Sequence, residues 1–96
     1  MILNDIKRII RKHKPKLIKK YHINEIGVFG SFVKNKQTPK SDIDILVDFA
    51  KPISLFEFID MEEELSLLLN NKVDLVSKKA LKPYIGKHIL QEIQMI

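Results

Sequence analysis

The stretch from Val28 to Phe49, VFGSFVKNKQTPKSDIDILVDF, restricts the fold more than any other part of this chain. It reads as a strand ending at Phe29, a Gly30-Ser31 turn, a polar excursion through Pro39, and a second strand from Asp42 to Phe49. Side chains alternate faces along a strand, so Asp42 and Asp44 share one face and Ile43 and Ile45 the other. The rise of a strand places the two acids roughly 6 to 7 Å apart at their backbones. Unpaired, they repel, and a desolvated carboxylate needs a partner or a cation. Hard oxygen donors at that spacing suit Mg²⁺, which takes one or two carboxylates and leaves its other positions to water and substrate phosphates. Gly30 reaches backbone angles closed to other residues, and Ser31 offers a hydroxyl and an N–H at the start of a helical turn, where unpaired donors attract anions. A phosphate-holding loop beside a metal-holding strand is the logic of nucleotidyl transfer.

Upstream, residues 3–13 read as an amphipathic helix with Leu3, Ile6, Ile9 and Ile10 at helical spacing. Pro15 is expected to end it or to begin a second short helix carrying Leu17, Ile18 and Tyr21. The first strand is Glu25 to Phe29, apolar enough to be interior. Downstream, Ser54-Leu55-Phe56-Glu57 matches a capping box that opens a helix to about Leu69. That helix is expected to turn Leu55, Phe58, Ile59, Leu65, Leu68 and Leu69 inward, and Asp60 and Glu62 to Glu64 toward solvent, with Asn70-Asn71 closing it. Val73 to Val76 reads as a third strand with one acid, Asp74, inside it; alone, that acid is an ordinary edge residue. A closing helix is expected from Leu81 to Ile96, with Ile85, Ile89, Ile93 and Ile96 at helical spacing. His13, His22 and His88 lack the paired spacing of a metal motif and read as structural or surface residues. The order of elements gives an α/β (α+β) class, a small mixed β-sheet flanked by helices in a single domain spanning 1–96, with strand order open.

Gly30-Ser31, ten residues, then Asp42-Ile43-Asp44 resembles the signature of the DNA polymerase β-like nucleotidyltransferase superfamily, in particular its minimal nucleotidyltransferases. Val28-Phe29, Ser41, Leu46 to Phe49 and Lys72 to Val76 extend the resemblance over most of the chain. The resemblance implies the nucleotidyltransferase fold. It also implies that Asp74 is the third carboxylate beside Asp42 and Asp44, binding one or two Mg²⁺ ions with them or taking the acceptor's proton. Gly30 and Ser31 would hold the β- and γ-phosphates of ATP. Members of the family usually follow Gly-Ser with a small residue, an arginine and a glycine, where this chain has Val33, Lys34 and Asn35. Lys34 keeps the positive charge without the planar fork of Arg, and Asn35 best tolerates a left-handed backbone among non-glycine residues. Minimal nucleotidyltransferases are commonly antitoxins paired with a HEPN-type RNase toxin, which implies AMP transfer to a toxin tyrosine. The alternative is a non-catalytic antitoxin module that binds nucleotide or partner.

The chain's 96 residues hold no cysteine, which excludes disulfides and thiolate metal sites, and no apolar run near the roughly 20 residues of a membrane span. A cytoplasmic protein is the default expectation. The charge of +5 is uneven: residues 1–22 carry eight Lys and Arg against Asp5, a balance of +7, and the remainder sums to −2. That basic segment could meet the triphosphate, an acidic protein or nucleic acid, but no aromatic-interleaved motif accompanies it, so dedicated nucleic-acid binding ranks last. Homo- or hetero-oligomeric assembly is left open by the sequence.

Overall fold

The computed structural model describes the backbone of residues 1–96 and every side chain except those of Tyr84 and Ile85. Ile85, expected on the closing helix's apolar stripe, therefore lies outside the described side chains. In chain order the elements are helix α1 (Leu3–Tyr21), strand β1 (Ile23–Phe29), a short 3-10 turn (Gly30–Phe32), strand β2 (Ile43–Phe49) and helix α2 (Leu55–Leu69). Strand β3 (Val73–Ser77), a second 3-10 turn (Lys78–Ala80), helix α3 (Pro83–Glu92) and the short strand β4 (Gln94–Met95) follow.

The strands form one mixed sheet in the order β3-β2-β1-β4. β1 runs antiparallel to β2 and β4, whereas β2 and β3 are parallel, as a strand-helix-strand crossover through α2 requires. Alternation divides the sheet. Ile43, Ile45 and Val47 of β2, with Val73 and Leu75 of β3 and Ile26 and Val28 of β1, join the core with Ile6, Ile10, Leu17 and Tyr21 of α1 and Met61, Leu65 and Leu69 of α2. Asp44, Leu46 and Asp48 fall on the opposite side of β2, where Leu46 shares a crevice with Leu90 and Met95. At Gly27 a side chain would collide with Ile93, 2.7 Å away, so the segment after α3 lies directly on the backbone of β1.

The structure corrects several expectations. α1 does not break at Pro15 but continues for 19 residues. Pro15 and Arg11, whose carbonyl loses its helical donor there, are both exposed, so water can satisfy that oxygen while the buried stripe Ile6, Ile10, Leu17 and Tyr21 holds the helix on both sides of the proline. α2 opens on the expected capping box: Ser54 Oγ accepts from Glu57 N–H at 3.1 Å, and Glu57 Oε1 accepts from Ser54 N–H at 3.1 Å. Its buried stripe is Met61, Leu65 and Leu69, while Leu55 and Ile59, expected inward, are exposed.

Glu62 and Glu64 are not a solvated face either. Glu62 Oε2 accepts the N–H of Leu75 at 2.8 Å, Ser66 Oγ accepts that of Val73 at 3.0 Å, and Glu64 Oε1 accepts from the Tyr21 hydroxyl at 3.0 Å. Side chains of α2 thus occupy the open edge of β3, where unpaired N–H groups would otherwise invite another strand. Finally, the closing helix stops at Glu92; Ile93 is extended, and the chain turns into β4, with Ile96 N–H donating to Ile26 O at 3.0 Å. Ile93 and Ile96 therefore pack as part of an extended segment, not of a helix.

Candidate active site

The site is assembled where β1 ends and β2 begins. Pairing of Phe29 with Asp44 brings the end of β1 beside the carboxylate, and the parallel register sets Asp74 directly opposite Asp44 on the neighbouring strand. Adjacent strands are about 4.8 Å apart, so the two acids are next neighbours on one face. Gly30 has φ +79°, a left-handed conformation that disfavours side chains, and a Cβ there would run into Oδ2 of Asp44. The glycine is required twice, for its backbone angle and for the carboxylate resting against it. Sequence reasoning supplied the first reason alone.

Asp44 is half-buried and accepts no hydrogen bond or ion pair among the described residues. Its carboxyl is raised above the ordinary 3.8, first by burial and then by the charges of Asp74 and Asp42. Asp42, at the mouth of β2, lies 3.7 Å from the Lys72 ammonium, a loose pair whose lysine is largely solvated. Among the described residues no group of three His, Cys, Asp or Glu is gathered closely enough to hold a metal ion. The structure thus brings Asp44 and Asp74 together and leaves Asp42 engaged with Lys72, a partner the sequence did not signal.

The turn after β1 is built as the sequence suggests. Gly30 O accepts the N–H groups of Val33 and Lys34 at 3.1 and 3.2 Å, and Ser31 O accepts that of Lys36 at 2.9 Å. Ser31 is half-buried, its hydroxyl unengaged among the described residues. Asn35 adopts φ 56°, the left-handed angle anticipated there. The Lys34 ammonium pairs with Glu92 Oε1 at 3.2 Å, joining the turn to the last turn of α3. That contact spans 58 residues and had no signal in the sequence.

The sequence pattern of the nucleotidyltransferase domain family matches residues 10–96. This chain belongs to that family. The nucleotidyltransferase is 48% identical over 92 residues to a chain of Methanocaldococcus jannaschii named "putative protein adenylyltransferase", covering 95% of this chain and 94% of that one. It is 45% identical over 93 residues to "protein adenylyltransferase MntA" of Thermococcus cleftensis, covering 97% and 94%. A solved "putative minimal nucleotidyltransferase" superposes with a TM-score of 0.82 at 29% identity, over 98% of this chain and 95% of that one. A chain of a solved complex of a tri-AMPylated Shewanella oneidensis HEPN toxin with MNT antitoxin shares the fold, with a TM-score of 0.63 at 22% identity, over 96% of this chain and 66% of that one. In this nucleotidyltransferase the acid-bearing face is flanked by the Lys34–Glu92 pair and by a cavity of about 500 Å³ between the second 3-10 turn and α3.

Proposed function

We propose that this nucleotidyltransferase moves AMP from ATP onto a hydroxyl of a partner protein, a tyrosine of a HEPN-type RNase toxin, and so acts as a cytoplasmic antitoxin, with residues 1–96 as one minimal nucleotidyltransferase domain. The observation that carries the reading is Asp44: a half-buried carboxylate with no cation or donor among the described residues, seated on Gly30 and facing Asp74. A fold has no reason to leave two acids adjacent and unneutralised unless a ligand completes them. The names of the relatives, and the AMPylated HEPN toxin in a complex that contains a chain of the same fold, support the transferred group and the acceptor class.

The all-oxygen donor set of Asp42, Asp44 and Asp74 fits one or two Mg²⁺ ions in chemical type, because such ions keep water and phosphate for most of their positions and need only one or two carboxylates each. When bound, the metal neutralises triphosphate charge and lowers the pKa of a coordinated hydroxyl. The chain's own residues do the rest. Gly30 and Ser31 present backbone and hydroxyl to the β- and γ-phosphates. Asp74, the more exposed of the facing pair, accepts the acceptor's proton as its oxygen attacks the α-phosphorus. The bond from the α-phosphorus to the bridging oxygen breaks, and pyrophosphate leaves.

One observation favours the alternative of a binding module without catalysis: Lys34 is held by Glu92 rather than free for phosphate. Intact-mass measurement of a HEPN-type toxin incubated with this protein, Mg²⁺ and ATP separates the two. An AMP adduct on the toxin that disappears with Asp44→Ala supports transfer. A toxin that binds but gains no mass with any nucleoside triphosphate supports the module.

A further inference from the structure

Among the described side chains, Lys78, Leu81, Lys82, Gly86, Lys87 and Leu90 line a cavity of about 500 Å³ beside α3. Its size falls within the range of ligand sites. Gly86 makes the slot: it is buried, and a Cβ on it would stand 3.3 Å from Leu81 Cβ, so α3 closes down on Leu81 and leaves an apolar floor. Three ammonium groups rim that floor. Lys78 is neutralised by Glu25 at 3.4 Å, whereas Lys82 and Lys87 are exposed and have no carboxylate within 4.0 Å among the described residues. The other charges nearby are accounted for, because Glu92 pairs with Lys34, and Asp48 lies in the adjoining crevice with Glu25 and Lys78.

The cavity opens on the acid-bearing side of the sheet. Lys78 and Leu90 line both this cavity and the crevice over Leu46, and Leu46 shares the face of Asp44. Asp74 in β3 and Lys78, the first residue after the strand, are four residues apart, about 13 Å in an extended chain. An extended peptide lying over the acid-bearing face along β3, whose edge α2 already occupies, with a hydroxyl at Asp74 therefore places the side chains three or four residues away at Lys78, on the rim of the slot.

Resting on the adenylyl-transfer reading above, we infer that this slot selects the acceptor: it takes an acidic peptide segment, with an Asp or Glu three or four residues from the modified hydroxyl and an apolar side chain on Leu81 and Leu90. Two unneutralised lysines over an apolar floor complement such a segment, and a basic one is repelled. The transfer itself is unchanged. The acceptor oxygen bonds to the α-phosphorus, the bond to pyrophosphate breaks, and the proton passes to Asp74.

The test uses the full chain and two fluorescein-labelled 12-residue tyrosine peptides, one with Asp and Glu at the third and fourth positions from the tyrosine and one with Lys there. Anisotropy reads peptide binding, and a separate titration reads ATP binding. The acidic peptide should bind at least tenfold more tightly than the basic one, and Lys82→Glu with Lys87→Glu should erase that preference without changing ATP affinity. Charge reversal on α1, Arg11→Glu with Lys12→Glu, should leave it in place. Three results overturn the inference: no preference between the peptides, a preference removed by the α1 variant and not the α3 variant, or an α3 variant that loses ATP instead, which would make the slot part of the nucleotide site. Mass analysis after adding Mg²⁺ keeps the two proposals apart. Selective peptide binding without an AMP adduct refutes the transfer and not the slot, whereas adducts formed equally on both peptides refute the slot and not the transfer.

Discussion

The two faces of one sheet, carried by the same seven residues of β2, have opposite characters. Ile43, Ile45 and Val47 are fully buried beneath α1 and α2, whereas Asp44 and Asp48, alternating with them, stay half-open on the side that α3 only partly covers. Strand parity lets adjacent residues serve packing and chemistry with little shared burden. Substitutions on one face should change stability and those on the other activity, and each prediction below strains that separation.

The largest effect is expected from Asp44→Ala, which should lower AMP transfer by at least about a thousandfold, in line with losing a metal ligand and its charge stabilisation. Its thermal midpoint should stay at or above that of the parent; a midpoint well below it would show that Asp44 also holds the fold. On the other face, Leu65→Ala removes a fully buried side chain and should cost about 2 to 5 kcal/mol, enough to lower the midpoint by 10 °C or more in a domain of this size. Residual transfer per folded molecule should be unchanged, as read from activity normalised to the folded fraction.

Gly30→Ala sits where the faces meet and should fail on both counts. Forcing a side chain into φ +79° costs about 1 to 2 kcal/mol, and the methyl displaces the Asp44 carboxylate, so denaturant unfolding and transfer should both fall. A variant that loses neither would remove the reason given for the glycine.

A smaller and pH-dependent effect follows from Asp44. Its carboxyl is raised in the folded protein above the ordinary 3.8, so the folded state binds the proton more tightly than the unfolded chain does. Stability must then decline as pH rises from 3.8 through that raised value. Asp44→Asn removes the decline. The variant should be the more stable of the two near neutrality, with the gap closing below 3.8, as followed by denaturant midpoints across that range. The smallest effect is expected at Lys34→Ala, whose pair with Glu92 is exposed and worth about 0 to 1 kcal/mol. If nucleotide affinity drops while stability holds, Lys34 leaves Glu92 for the phosphates during turnover.

Much of this was legible because it was written in local chemistry. The alternation of Asp44 with the buried Ile43 and Ile45, the Ser54–Glu57 capping box and the left-handed Asn35 each depend on residues a few positions apart. What was illegible depended on packing. Pro15 carries a strong local stop signal, yet the apolar stripe on both sides of it meets one continuous core. α2 offers more apolar positions than one face can bury, and setting Met61 rather than Leu55 and Ile59 beside the expected Leu65 and Leu69 requires knowing where the sheet lies. β4 is two residues long, too short to have a period, and it exists because β1 leaves it a place to pair. Within the site, the adjacency of Asp44 and Asp74 could be inferred from the resemblance alone, since no spacing between them sets a parallel register.

The bonds from Ser66 to Val73 N–H and from Glu62 to Leu75 N–H do more than close an edge, because they fall on the two residues that flank Asp74. A helix on one side of the sheet thereby calibrates where a carboxylate stands on the other, holding it from both neighbours as a clamp holds a gauge. Slippage of β3 by one residue would break both holds and turn Asp74 into the core, so the accuracy of the site is set by the same two contacts that keep the sheet from growing.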